Sequence, residues 1–303
     1  MTASVLERPS TRDIPSSDYD ADREKREFYL GVPSLPIPLD RGRIAKAWLP
    51  ANAELLDIGC SAGYHVRHLA RKAKRIVAID VDRVALEVAR RRVKSSRVTF
   101  MHYDGQTLPF ADASFDAVSM LDVLEHVGDR QALVAEIVRV LRPGGTWTVT
   151  VPYRGPLAWL SPENMAADHP RLFSLFSALS KPQTWIRGHN ATGQRHHHFS
   201  TADLKGLVDG RLAAVRAARR GSFVYALCYL ALCFPPRFFS RVWTTACFAA
   251  MAADYQVSYG PMAYNLAMQF RKPLAAALPA TTERQFESKS DQIVEVERPA
   301  RAA

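Results

Sequence analysis

With 303 residues, 48% apolar and 23% charged, the chain can bury the core of one large domain with additions, and this composition excludes a disordered or fibrous protein. Its formal charge of +10 raises nucleic acid as a partner, yet the basic residues are spread over 71–75, 90–94, 211–220, Arg237 and Arg241 without a nucleic-acid motif. No nucleic acid is therefore expected, and a solvated face or an anionic lipid surface accounts for the charge.

In chain order, residues 1–37 are polar, carry Pro9, Pro15, Pro33 and Pro36, and read as a mobile arm with one short helix near Tyr19–Tyr29. The first 30 residues hold no apolar h-region, so no secretory signal is expected and the protein is placed in the cytoplasm. Cys60, Cys228, Cys233 and Cys247 form no CxxC pair, which fits reduced thiols and gives no disulfide framework or zinc site. From residue 38 short strand-like runs alternate with helical periods. LLDIG at 55–59 precedes a helix over 64–72, RIVAID at 75–80 precedes a helix over 83–94, and VTFMHYD at 98–104 and FDAVSML at 115–121 follow. A helix over 131–141 ends at Pro143-Gly144-Gly145, and TWTVTVPY at 146–153 reads as the fifth strand. Strands separated by helices in this order predict parallel βαβ units in a doubly wound α/β sheet.

Ligands of such sheets bind at the carboxyl ends of the strands, near the point where strand order reverses. Gly59 and Gly63 let the backbone turn tightly and approach a ligand there. Asp80 ends the second strand, where a carboxylate can accept both hydroxyls of a ribose, so an adenosine ligand is expected. Asp80 could instead cap the next helix, and Asp104 could be only a turn residue before Gly105. A nicotinamide enzyme would share the glycine and acid logic, but its loop reads GxGxxG, whereas this one reads DxGxxxG.

At this loop the chain resembles the class I S-adenosylmethionine-dependent methyltransferases of the small-molecule type, closely over about 40–153 and more loosely over 196–273. The resemblance implies that Asp57, Gly59, Cys60, Ser61 and Gly63 wrap the methionine part of S-adenosylmethionine, that Asp80 holds the ribose, and that Asp104 with Gly105 faces the adenine amino group. Leu121, in the stretch FADASFDAVSMLDVLEHV, is placed near the cofactor, and LRPGGTWTVTVP matches the next helix, turn and strand. Ser61 stands where many members carry glycine. LAAVRAARR at 212–220 and YNLAMQFRKP at 264–273 resemble the sixth and last strands. The implied fold is a Rossmann-like sheet of seven strands with the last antiparallel, in a domain over 38–273 followed by a disordered tail over 274–303.

A sulfonium methyl is already activated, so such a protein mainly aligns a nucleophile in a dry site, and a base is needed only for a weakly acidic acceptor. His126, just beyond the fourth strand, is one candidate base, the alternative being that it packs or caps the following turn. In RHHHFSTADL, at 195–204, His198 is the second, with His196 as an alternative. Neighbouring histidines on an extended chain point to opposite faces and no carboxylate or cysteine completes a set, so no metal is expected. Ser200 or Thr201 is the N-cap of the helix that follows. Tyr153 is expected to line the acceptor pocket, and 154–194 to form a lid that decides substrate choice.

Residues 222–255 form an apolar insert broken by Pro235 and Pro236. Its first run, residues 223–234, would span about 18 Å as a helix, short of a hydrocarbon core of about 30 Å. The resulting hairpin suits shallow insertion into a membrane face, or else packs on the sheet, closes the acceptor pocket or forms a homodimer contact. The expected function is transfer of a methyl group from S-adenosylmethionine to an apolar or lipid-like small molecule, peripheral on the cytoplasmic membrane face if the hairpin inserts. A methyltransferase for a soluble metabolite and a non-catalytic membrane-associated scaffold are the alternatives.

Overall fold

The computed structural model describes residues 22–23, 25–27, 29–30, 40–180, 196–234 and 241–274. Most of the expected N-terminal arm, the part of the lid over 181–195, the Pro235-Pro236 break and the tail beyond residue 274 lie outside the described residues.

Seven strands form one sheet: β1 (Glu54–Ile58), β2 (Arg75–Asp80), β3 (Val98–His102), β4 (Phe115–Leu121), β5 (Leu141–Pro152), β6 (Ala213–Arg220) and β7 (Asn265–Arg271). Their order is β3-β2-β1-β4-β5-β7-β6. The first five are parallel, and β7 lies antiparallel between β5 and β6. The sheet is thus the Rossmann-like one with an antiparallel last strand, and strand order reverses between β1 and β4.

Successive residues of a strand face opposite sides of the sheet. Leu55 and Ile76 accordingly pack with α1 (Asp40–Trp48), α2 (Val66–Leu69) and α3 (Arg83–Arg92), through Ala45, Leu69 and Leu86. Leu56, Ile58 and Met120 face the other way, onto Leu133, Val134 and Ile137 of α4 (Arg130–Val140) and onto Leu204. On that face Trp147 stacks on Phe270 at 5.4 Å between ring centroids, both fully buried.

Several boundaries differ from the sequence reading. The helix expected over 64–72 shrinks to α2, because Gly63 turns the chain at a φ of 75° and no side chain caps the helix start at His65. Helix α4 starts at Arg130, where Asp129 accepts from the Ala132 N–H, and ends at Val140. Strand β5 then begins at Leu141 because Leu141 pairs with Phe115 ahead of an irregularity in the ladder. Pro143-Gly144-Gly145 therefore lies within a bulged strand start, and the Lys272 ammonium takes over as the helix stop by donating to the carbonyls of Val138 (2.7 Å) and Leu141 (2.8 Å). Helix α3 is capped by Asp82, which accepts from Val84 (2.8 Å) and Ala85 (3.2 Å), so Asp80 is not its cap.

Beyond β5, α5 (Met165–Asp168) and α6 (Pro170–Leu179) fill the described part of the lid. Helix α7 (Thr201–Val208) starts at Ser200, whose hydroxyl and main chain exchange hydrogen bonds with Asp203 in a capping box. The apolar insert folds as α8 (Phe223–Cys233) and α9 (Arg241–Asp254). Tyr225, Ala226, Met251 and Tyr255 of this pair bury against Leu157, Leu160 and Tyr264. Phe223, Val224, Leu227 and Trp243 of the insert and Leu172, Leu175 and Leu179 of α6 stay exposed. Among the described residues no helix is long and apolar enough to cross a membrane.

The described part of the N-terminal segment is not detached. Residues 22–23, 25–27 and 29–30 are helical and lie against α3: Arg26 pairs with Glu87 at 3.0 Å, the Tyr29 hydroxyl donates to Asp82 at 3.1 Å, and Arg92 donates to the Tyr29 carbonyl at 2.8 Å.

Candidate active site

Where strand order reverses, the loop after β1 holds an alternating set of left-handed residues: Gly59 at a φ of 72°, Ser61 at 47° and Gly63 at 75°. A Cβ on Gly59 would stand 2.3 Å from a methyl of Val123, so only glycine fits there. Ser61 takes up the same hand of backbone that glycine would adopt freely. Its N–H donates to one oxygen of Asp80 at 2.7 Å, and the Asp82 N–H donates to the other at 2.8 Å. The two carboxylate oxygens offer about four acceptor sites, so a buried Asp80 at the end of β2 keeps capacity for a ligand hydroxyl beside these donors and that of Val81. Desolvation raises its pKa, offset in part by the donors of Asp82 and Ser61.

Asp57 and Ser119 face each other across β1 and β4, and the Ser119 hydroxyl donates to the Asp57 carboxylate. Burial pushes the Asp57 carboxyl up to about 7. Burial also raises the Cys60 thiol, so this sulfur stays protonated and is no nucleophile. Leu121 is half-buried at the end of β4. Asp104 is exposed, with its carboxylate accepting from the Gln106 N–H at 2.9 Å as a turn residue does, and Gly105 follows at a φ of 84°. Tyr29 brings a phenol to this edge, its pKa raised by burial and by the Asp82 carboxylate.

A cavity of about 210 Å³ opens at the carboxyl ends of β4 and β5. Asp122, Glu125 and Glu163 place three carboxyl groups on its wall, together with Arg41 and Tyr225, Tyr229 and Tyr264. Arg41 forms an ion pair with Asp122, which also accepts from the Thr150 hydroxyl at 2.6 Å. Glu163 accepts from the hydroxyls of Tyr229 and Ser161, the latter at 2.8 Å. Burial and the Glu163 charge raise both the Tyr229 and the Tyr264 phenols, so these hydroxyls remain neutral donors.

His126 closes a short 3-10 turn (Leu124–His126) and is exposed where it lines the cavity. Its Nδ1 lies 3.2 Å from Nε2 of His196, with the rings edge to face at 4.3 Å. His196 is held by Asn164, which accepts from its N–H at 2.7 Å and donates to its carbonyl at 3.0 Å. The cavity wall includes His196 and not His198, whose ring burial drives down to about 4. Residues 196–198 have no strand partner, so the alternation that would set His196 and His198 on one face does not govern them. Tyr153 is likewise off the cavity wall, its ring under the Arg219 guanidinium at 5.3 Å. Among the described residues no three His, Cys, Asp or Glu side chains are grouped to hold a metal ion.

Residues 56–149 match the family model described as a methyltransferase domain. This stretch is a class I S-adenosylmethionine-dependent methyltransferase domain. Over 104 residues the chain is 38% identical to a "Probable S-adenosylmethionine-dependent methyltransferase" of Mycolicibacterium smegmatis, covering 34% of this chain and 40% of that protein. Over 99 residues it is 35% identical to the demethylmenaquinone methyltransferase of Tropheryma whipplei, covering 33% and 41%. The chain thus spans about two fifths of the length of the curated relatives it matches. The crystal structure of the cyclase SpnF superposes with a TM-score of 0.53 over 86% of this chain and 96% of that one at 22% identity, which shows the shared fold alone.

The loop after β1 thus has a glycine where a Cβ would collide, a second glycine turning the chain, and an acid at the end of β2 held by main-chain donors. The family uses S-adenosylmethionine. Arg41, Glu125 and Glu163 are cavity residues that sequence reasoning does not single out. The available signals are the three ionisable residues Asp122, Glu125 and His126 directly after β4, and Tyr225 and Tyr229 four apart in an otherwise apolar helix, which puts two phenols on one face.

Proposed function

We propose that the protein is an S-adenosylmethionine-dependent methyltransferase acting on an apolar or lipid-like small molecule whose polar end enters the cavity beside β4. The observation that carries this reading is that the end of β4 adjoins both regions. Ser119 pairs with Asp57 beside the β1 loop, where we place the cofactor, while Asp122, Glu125 and His126 of the next turn line the cavity. The cofactor supplies an activated methyl on sulfur, and the chain's own residues do the rest. Gly59, Ser61 and Gly63 let the backbone wrap the ligand, and Asp80 fixes its ribose. His126 takes the proton that the acceptor atom gives up as it is methylated, with His196 holding the imidazole in place. Cys60, kept protonated, does not compete for the methyl.

The polar cavity wall by itself would also suit a soluble metabolite. The exposed apolar faces of α6 and α8 support an amphiphile, as does a relative named for demethylmenaquinone. The same faces suit residence at a lipid surface. The test is titration of the purified protein with S-adenosylmethionine and with NADH, followed by transfer of labelled methyl to the organic and aqueous fractions of a cell extract. We expect binding of the first ligand only and label in the organic fraction. Label confined to the aqueous fraction would replace the lipid-like acceptor by a soluble metabolite. Asp80→Ala should weaken cofactor binding about tenfold to hundredfold in a protein that still folds, with some loss of stability from the orphaned Ser61 and Asp82 N–H groups; unchanged affinity would remove Asp80 from the ribose.

A further inference from the structure

Glu125 is the one carboxyl group on the cavity wall whose partnering is incomplete. It is 5% exposed, and its Oε2 accepts no hydrogen bond among the described residues. The groups around it are fixed. Asp122 is paired with Arg41 and Thr150, Glu163 with Tyr229 and Ser161, and His126 with His196. Arg130, the nearest cation from α4, is directed at main-chain carbonyls, those of Leu124 at 3.1 Å and Glu125 at 3.4 Å. Three carboxyl groups therefore share the cavity with a single guanidinium among the described lining residues. An orphan acceptor in low dielectric calls for a donor, and a surplus of negative charge calls for that donor to be positive. The wall also carries Tyr225, Tyr229 and Tyr264, and aromatic rings attract cations.

We infer that the cavity recognises an acceptor through an ammonium group bearing N–H bonds, held by Glu125 between the carboxylates and the tyrosine rings. This rests on the proposed function and narrows it: the polar end of the amphiphile is an amine, as in a long-chain base, and not a quinone. The ammonium is the handle that sets the register of the acceptor in the cavity. Burial and the Asp122 charge raise the Glu125 carboxyl well above the ordinary carboxylate range. Without a cation it holds a proton, and a bound ammonium displaces that proton.

The experiment is titration of the full chain, saturated with S-adenosylhomocysteine, with octylammonium, octanol and menadione at several pH values. Octylammonium should bind at least tenfold more tightly than octanol, and its affinity should rise with pH as Glu125 loses its proton, while octanol stays flat. Glu125→Gln should cost octylammonium at least tenfold, leave octanol within twofold and keep the affinity for S-adenosylhomocysteine. That last reading also separates failure of the amine proposal from failure of the methyltransferase reading, which would show as no binding of S-adenosylhomocysteine by the unaltered protein. If Glu125→Gln does not fold, the pH profile of the unaltered protein decides alone. Equal binding of octylammonium and octanol, tighter binding of menadione, or a flat pH profile would overturn the inference. Competition between octylammonium and S-adenosylhomocysteine would also overturn it, by assigning the acidic wall to the cofactor's own amino group.

Discussion

The two halves of the site are built from different materials. The half we assign to the cofactor consists of main chain: left-handed residues at 59, 61 and 63, N–H groups aimed at Asp80, and one cross-strand pair, Asp57 and Ser119. The acceptor half consists of side chains drawn from α1, the turn after β4, the lid, the segment before α7, the insert and β7. Binding a constant cofactor thus needs a backbone shape, which few sequences can specify. A variable acceptor needs only side chains on a tolerant scaffold, which insertions supply.

Substitutions should respect that division. The largest effect is expected from His126→Ala, which should slow methyl transfer to an acceptor by about 10² to 10⁴-fold while cofactor affinity, read by titration, stays put. A parallel loss of cofactor affinity would mean that the two halves are not separable. Gly59→Ala attacks the other half. A methyl group 2.3 Å from Val123 on a left-handed residue should cost about 2–4 kcal/mol of stability in urea denaturation and abolish measurable cofactor binding. Asp57 gives a pH signature. Its carboxyl titrates near 7 in the fold against about 4 in an unfolded chain, so the folded state holds the proton more tightly. Its stabilising contribution is complete below about pH 4 and is lost as pH rises to about 7, and Asp57→Asn should flatten the denaturation midpoint over that window. The smallest effect is expected from Ser61→Gly, which relaxes a φ of 47°. It should change stability by less than about 1 kcal/mol and cofactor affinity by less than twofold, because relief of the side chain's strain is offset by the freedom glycine gains when unfolded.

The same division explains what the sequence disclosed. Order and type of β1 to β5, the β1 loop and the acid at Asp80 are local in sequence, and each is marked by periodicity or by a residue type with one backbone use. The acid at 82 caps α3 and leaves Asp80 to the site, a distinction of two positions that composition does not carry. The acceptor wall was not legible, because Arg41, Glu125, Glu163 and Tyr264 are joined only by the fold. Choosing between His196 and His198 depended on Asn164, more than thirty positions away, which clamps the main chain of one of them. The lid and insert are legible as additions from their composition, but their docking depends on where Tyr225, Tyr229 and Tyr255 find partners, which the apolar run conceals.

Strand β6 ends the sheet; Arg220 bridges Ser258 and the Arg219 carbonyl accepts from the Tyr259 N–H at 3.2 Å, so among the described residues the open part of its outer edge is the stretch before Arg219, which carries Arg216. A second chain adding there in register would bring guanidinium against guanidinium, which repels strongly at low salt and weakly at high salt. Part of the +10 charge thus has a use that involves no ligand: it keeps a bare edge from seeding fibrils or strand-swapped aggregates, and the protein should be most soluble where that charge is least screened.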